Sequence, residues 1–232
     1  MSTDTAGRRS SLALATLAAV AAAVLVLGFS GVHQGEAHSD GAHDDGAVAT
    51  ARTEKAVAFH DQMRKLWEDH ITWTRLAIVS FAHDLPDLPQ TQARLLRNQT
   101  DIGNAIKPFY GRRAGNRLTA LLTEHITGAV NLLVAAKSGD AALIERRKAE
   151  WYRNGNEIAD FLNKANPRHW KRSTMRRLMR VHLDDTLDEA VHRLGGDFRA
   201  DIRDYERIHR HILRMADTLS NGIIRQFPRR FR

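Results

Sequence analysis

Residues Leu118–Ala136 read LTALLTEHITGAVNLLVAA, with His125 near their centre. Leu118, Leu122, His125, Ala129, Leu132 and Ala136 recur at alternating four- and three-residue steps. That spacing draws one stripe down a helix and turns it toward a core. A histidine in the middle of an apolar stripe needs a partner, because a buried polar ring without one is costly. The pattern occurs twice more. LWEDHI (Leu66–Ile71), LLTEHI (Leu121–Ile126) and LMRVHL (Leu178–Leu183) superimpose on their histidines, with Met63, Leu118 and Met175 seven residues before them.

The segments that follow these blocks also correspond. Arg97-Asn98, Arg153-Asn154 and Arg210-His211 repeat at nearly constant offsets, and so do Ile106, Leu162 and Leu219. An outgoing and a returning helix that agree independently define a helical hairpin of roughly 56 residues, present three times. Helical periodicity predicts helices over 53–83, 89–107, 113–137, 140–164, 170–194 and 198–225. They are separated by Asp84-Leu85-Pro86, Pro108 to Gly111, Ser138-Gly139, Asn166-Pro167 and Gly195-Gly196. Asp140 and Asp197 directly follow glycines and suit helix N-caps. Short loops make neighbours antiparallel, so the expected fold is all-α, an up-down bundle of about six helices.

Ahead of this domain (52–228) lies a different kind of sequence. Arg8 and Arg9 precede the apolar run Leu12–Phe29, so residues 1–30 read as a signal peptide or N-terminal membrane anchor. The paired arginines keep the first residues cytoplasmic and send the remainder outside, so the domain is expected to be extracytoplasmic. Residues 31–51 are rich in Gly, Ala, Asp and His without periodicity and read as a tether, with His33, His38 and His43 as a weak metal-gathering tail or plain linker. The chain has 232 residues, 43% of them hydrophobic, and a formal charge of +8. That size buries one good core, and the charge points to anionic partners. The absence of cysteine excludes disulfides, thiolate metal sites and cysteine nucleophiles.

Hairpin register supplies the candidate site. His70 falls level with Ile102 beside Asn98, His125 with Asn154 near Glu157, and His182 with His209, close to His211. A polar layer therefore crosses the bundle. Neutral imidazole is the commonest ligand for transition metals, so His70, His125 and His182, with Glu157 or His209 as a fourth contributor, are candidate ligands for zinc, copper, iron or haem. Two other readings stay open: each histidine bonds within its own hairpin and fixes register, or one acts as a general base. Glu189-x-x-His192 and Glu206-x-x-His209 match the spacing of di-iron carboxylate bundles. The further pair of inward glutamates is missing, and a turn beside Glu189 suggests a solvated face. No glycine-rich phosphate loop, Gly-x-Ser-x-Gly elbow or His-Glu-x-x-His is present.

Charge adds a surface. One end of an up-down bundle would gather Arg112, Arg113, Lys171, Arg172, Arg176, Arg177 and the basic tail 229–232 with Arg229 and Arg230. The opposite turns carry Asp84, Asp87, Asp140, Asp197 and Asp201. The basic end shares its side with the tether, and its aromatics and arginines suit an anionic membrane surface. Nucleic acid is not expected as a partner of an exported chain.

LWEDHITWTR (Leu66–Arg75), LLTEHI and GIIRQFP (Gly222–Pro228) resemble an uncharacterised family of bacterial helical proteins, over roughly residues 60–228. Some of its members carry an automatic acetylglutamate kinase label. Amino-acid kinases are α/β proteins with glycine-rich phosphate loops, and this chain has neither feature. The resemblance implies a helical fold and no established activity.

Overall fold

The computed structural model describes residues 53–232. The expected signal or anchor, the tether and its histidines lie outside the described residues. Every α-helix and the one 3-10 turn among them pack into a helical bundle: α1 (Glu54–Ala82), α2 (Leu88–Ser138), α3 (Ala141–Ala165), α4 (Arg172–Gly195), α5 (Phe198–Gln226) and a 3-10 turn, Pro228–Phe231. Side chains of Thr53, Asp140 and Asp197 accept the backbone N–H of Ala56, Leu143 and Ala200, capping α1, α3 and α5. Each such cap contributes about 1 kcal/mol. Gly139 and Gly196 end α2 and α4 in the left-handed conformation, where a Cβ is disfavoured.

Among the described residues there are five α-helices rather than six, because the segments expected at 89–107 and 113–137 are joined. Helical hydrogen bonding runs up to Gly111 from both sides, and only Gly111 leaves the helix, with φ 82° and ψ 167°. The chain folds back there. A Cβ built on Gly103 would fall 2.7 Å from the Gly115 carbonyl, and one on Gly115 2.6 Å from the Gly103 carbonyl. Two helix backbones approach that closely only where neither carries a side chain. By length and apolarity α2 could cross a membrane, but Leu118, Leu121, Leu122 and Leu132 on it belong to the bundle core.

The helices form a closed ring. α1 packs on α2 and α5, α2 on α3, α3 on α4, and α4 on α5. One apolar core runs through it, including Met63, Ile102, Leu121, Ile158, Leu183, Ile212 and Ile223. Each such side chain contributes roughly 1.5–3 kcal/mol by leaving water. At the end where α1 begins, aromatics plug the ring. Phe231 lies 5.3 Å from Phe59 and 5.4 Å from Phe109, ring centre to ring centre, and Tyr110 lies 6.0 Å from Trp170. The expected basic tail is thus folded: Phe231 is buried, the Thr53 hydroxyl donates to its carbonyl, and Lys55 Nζ donates to the Arg232 carbonyl at 2.7 Å. The ring and its core are formed within residues 53–232.

Candidate functional site: a buried histidine layer

His70 on α1, His125 on α2 and His182 on α4 are 2%, 3% and 4% exposed. Beside each, one contact recurs. Asn98 Nδ2 donates to the Leu66 carbonyl at 3.0 Å, Asn154 Nδ2 to that of Leu121 at 3.1 Å, and His211 Nε2 to that of Leu178 at 2.9 Å. Those leucines stand four residues before the three histidines, so each contact locks a returning helix to its outgoing one. Asn154 also uses its other arm: Oδ1 accepts from His125 Nδ1 at 2.9 Å. His70 Nδ1 accepts from Gln99 Nε2 at 3.3 Å. His182 Nδ1 is buried with no partner. An asparagine offers a donor and an acceptor side by side, whereas His211 has spent its Nε2 proton on Leu178.

The three rings meet. His182 lies 5.7 Å from His70 and 6.2 Å from His125, between ring centres. Trp151 stacks on His125 at 5.3 Å and donates its indole N–H to the His125 carbonyl at 3.1 Å. Burial pushes His70 down to about 3 and His125 down to about 4. His182 falls well below its ordinary value, by burial first and then by its histidine neighbours. All three are neutral near pH 7, and a base so weakened is poorly matched to general-base catalysis there.

The proposed fourth ligands are elsewhere. Glu157 is exposed. His209 points outward, its Nε2 2.7 Å from a Glu68 carboxylate oxygen and its ring stacked on Tyr205. The residue level with His182 is instead His211, two positions along α5 and so on its opposite face. Three imidazoles hold a metal only when a nitrogen of each reaches about 2.0–2.1 Å from one ion. Among the described residues, no group of three or more histidine or carboxylate side chains is arranged in that way.

A second polar cluster has a different character. Glu189, expected on a solvated face, is 2% exposed. Arg75 Nη1 lies 2.6 Å from Glu189 and 2.7 Å from Asp201, Arg75 Nη2 3.0 Å from Asp201, and Arg193 Nη1 3.2 Å from Asp201. Burial lifts the Glu189 carboxyl to about 7 against the pull of Arg75. Alongside, His192 Nδ1 meets Asp204 at 2.5 Å and Arg207 meets it at 2.6 Å. Asp201 therefore belongs to the interior and not to the acidic turns. The signal was present in the spacing: Asp201, Asp204, Ile208, His211 and Met215 step by three and four along α5, which places the two aspartates on its inward stripe.

The basic residues gather where α1 begins. Arg112, Arg113, Lys171, Arg177, Arg229 and Arg230 are exposed, and Arg230 Nη2 donates to the Pro108 carbonyl at 3.2 Å. Arg172 and Arg176 are committed otherwise: each grips Asp160 with two hydrogen bonds of 2.7–2.9 Å, which holds that carboxyl well below its usual range. The aromatics expected at a bilayer surface are the plug itself, Trp170 being 1% exposed. At the other end Asp84, Asp87, Asp140 and Asp197 are exposed. Family models, curated proteins and solved structures contain no match to this chain, so the residues alone carry the reading that follows.

Proposed function

We propose that the chain is an extracytoplasmic, membrane-associated binding module that rests on anionic lipid through its basic end and performs no chemistry in its core. The observation that carries this reading is the segregation of charge. Arg112, Arg113, Lys171, Arg177 and Arg229 are exposed at the end from which residue 53 joins the preceding apolar segment, and the exposed aspartates Asp84, Asp87, Asp140 and Asp197 lie at the far end. Each basic group near an acidic bilayer contributes about 1 kcal/mol. Within this reading the domain is three hairpins of roughly 56 residues, with the Gly111 fold dividing α2. The histidine layer is its register device, supported by the contact that recurs at Leu66, Leu121 and Leu178. Replacing Arg112, Arg113, Lys171 and Arg177 with Ser should weaken binding to phosphatidylserine vesicles while leaving the melting temperature in place. Undiminished binding would overturn the reading.

One observation favours a second reading. The orphaned Nδ1 of His182, beside the rings of His70 and His125, is what a neutral ligand set lacking its transition metal would leave. Zinc or copper bound there would raise the melting temperature through preferential binding to the folded state, and His125→Ala would abolish the increment. No increment removes this reading.

A further inference from the structure

The two ends of the ring are filled differently. Where aromatics plug the basic end, the inward positions toward the acidic end carry Ala77, Ala129, Ala136 and Ala190. Small side chains there leave a narrow cavity of about 70 Å³ that opens to solvent at its mouth. It lies beyond the histidine layer, between α1, both limbs of α2, α3 and α4, with Trp151 and Thr186 on the side nearest the layer and Phe81 and Leu194 farther out. Its wall is overwhelmingly apolar. Leu95, Ile126, Leu132 and Ile144 face it, and it offers almost no donor or acceptor along its depth. The buried part of a fitting ligand therefore carries no polar groups.

The lining also includes one ammonium. Lys148 on α3 is half-buried and, among the described residues, makes neither a hydrogen bond nor an ion pair. Its stem lies against apolar surface while its charge stays in reach of water, the usual compromise of a lysine at an apolar edge. A narrow apolar space with a single unpaired cation fits a hydrocarbon chain that ends in an acidic head. Glu145, one turn earlier on the same helix, also lines it and disfavours an anionic head less than Lys148 favours one, because Glu145 is exposed and hydrated.

We propose that this cavity is a binding site for a single-chain fatty carboxylate, its chain among the alanines and its carboxylate at Lys148. The site uses none of the residues of the basic end, so it stands or falls independently of lipid-surface binding. Dodecanoate, held below its micelle concentration, is titrated calorimetrically into the chain from residue 51, which contains the whole closed ring. Saturable binding of a single equivalent is expected, with a rise in melting temperature. Ala190→Phe, which fills the space, should weaken binding by at least about tenfold, or about 1.4 kcal/mol. Ala136→Phe serves the same purpose if circular dichroism shows that the first variant has not folded. Lys148→Gln should weaken dodecanoate and leave dodecanol unchanged. Arg112→Ser with Arg113→Ser should leave dodecanoate unchanged. Absence of saturable binding, or full binding by a folded cavity-filled variant, overturns the site. Dodecanol binding the parent chain as tightly as dodecanoate overturns the carboxylate.

Discussion

Replacing His211 with Asn should stabilise this protein, an uncommon outcome for a substitution at a buried position. His211 is 4% exposed and donates Nε2–H to the Leu178 carbonyl at 2.9 Å, while the neighbouring His182 Nδ1 goes without a partner. At the equivalent place Asn154 satisfies both groups, at 3.1 Å and 2.9 Å. An Asn at 211 would keep the bond to Leu178 and accept from His182. Relieving a buried orphan is worth about 1–3 kcal/mol. The smaller side chain gives back roughly 1 kcal/mol of burial and packing. The net gain is about 1 kcal/mol, which in a domain of this size raises the melting temperature by about 2–4 °C. No charge is lost near neutral pH, because burial lowers the His211 pKa. Differential scanning calorimetry of His211→Asn, His211→Ala and Asn154→Ala decides it. Asn154→Ala should cost about 1–3 kcal/mol, since it leaves the buried His125 Nδ1 without its partner. If His211→Asn is destabilised as much as His211→Ala, the pairing argument is wrong.

Acid should unfold the protein early. His70 and His125 bind protons only near about 3 and about 4 when folded but near 6.5 when unfolded. The unfolded state thus takes up more protons between those values, and stability falls as pH drops from about 6.5 toward 4, by several kcal/mol in all. Glu189, lifted to about 7, works in the opposite sense between about 4.5 and 7, as does Asp188 just above its ordinary range, where burial raises it. These are two carboxyls against the four histidines His70, His125, His182 and His211. A melting temperature that stays flat from pH 7 to pH 4 would contradict the neutral layer. Arg75→Met leaves Glu189 and Asp201 buried without their main cation and should cost about 3–5 kcal/mol, read as a fall in urea midpoint. A loss under about 1 kcal/mol would mean that the cluster is solvated.

Much of the architecture was legible in residue spacing. The stripes through His70, His125 and His182, the glycine stops and the Asp140 and Asp197 caps all express local chemistry, and local chemistry is written in consecutive residues. What spacing could not reveal was how chain reversal is made. At Pro108 to Gly111 it suggested a loop, whereas Gly111 alone reverses the chain because Gly103 and Gly115 let the two limbs touch. The fourth-ligand assignments failed for a rotational reason. Level position in a hairpin does not say which face a residue occupies, so His209 and Glu157 were placed inward and stand outward, while His211 holds the position. Glu189 and Asp201 were misread because charged residues near turns are usually solvated. Their burial depends on Arg75, more than a hundred residues away in the chain. Nor does composition reveal that the Arg172 and Arg176 charges are spent on Asp160, or that the aromatics of the basic end face inward.

Co-sedimentation of the chain from residue 51 with vesicles, acidic against neutral, at low and high salt, tests the central claim most directly. Removing residues 1–50 takes away the apolar segment, so any binding must come from the folded domain. The claim requires binding to phosphatidylserine vesicles, none to phosphatidylcholine vesicles, and release as salt rises, because exposed charges are screened over about 10 Å at 0.1 M. Equal binding to both vesicle types, or no binding to the acidic ones, would contradict it.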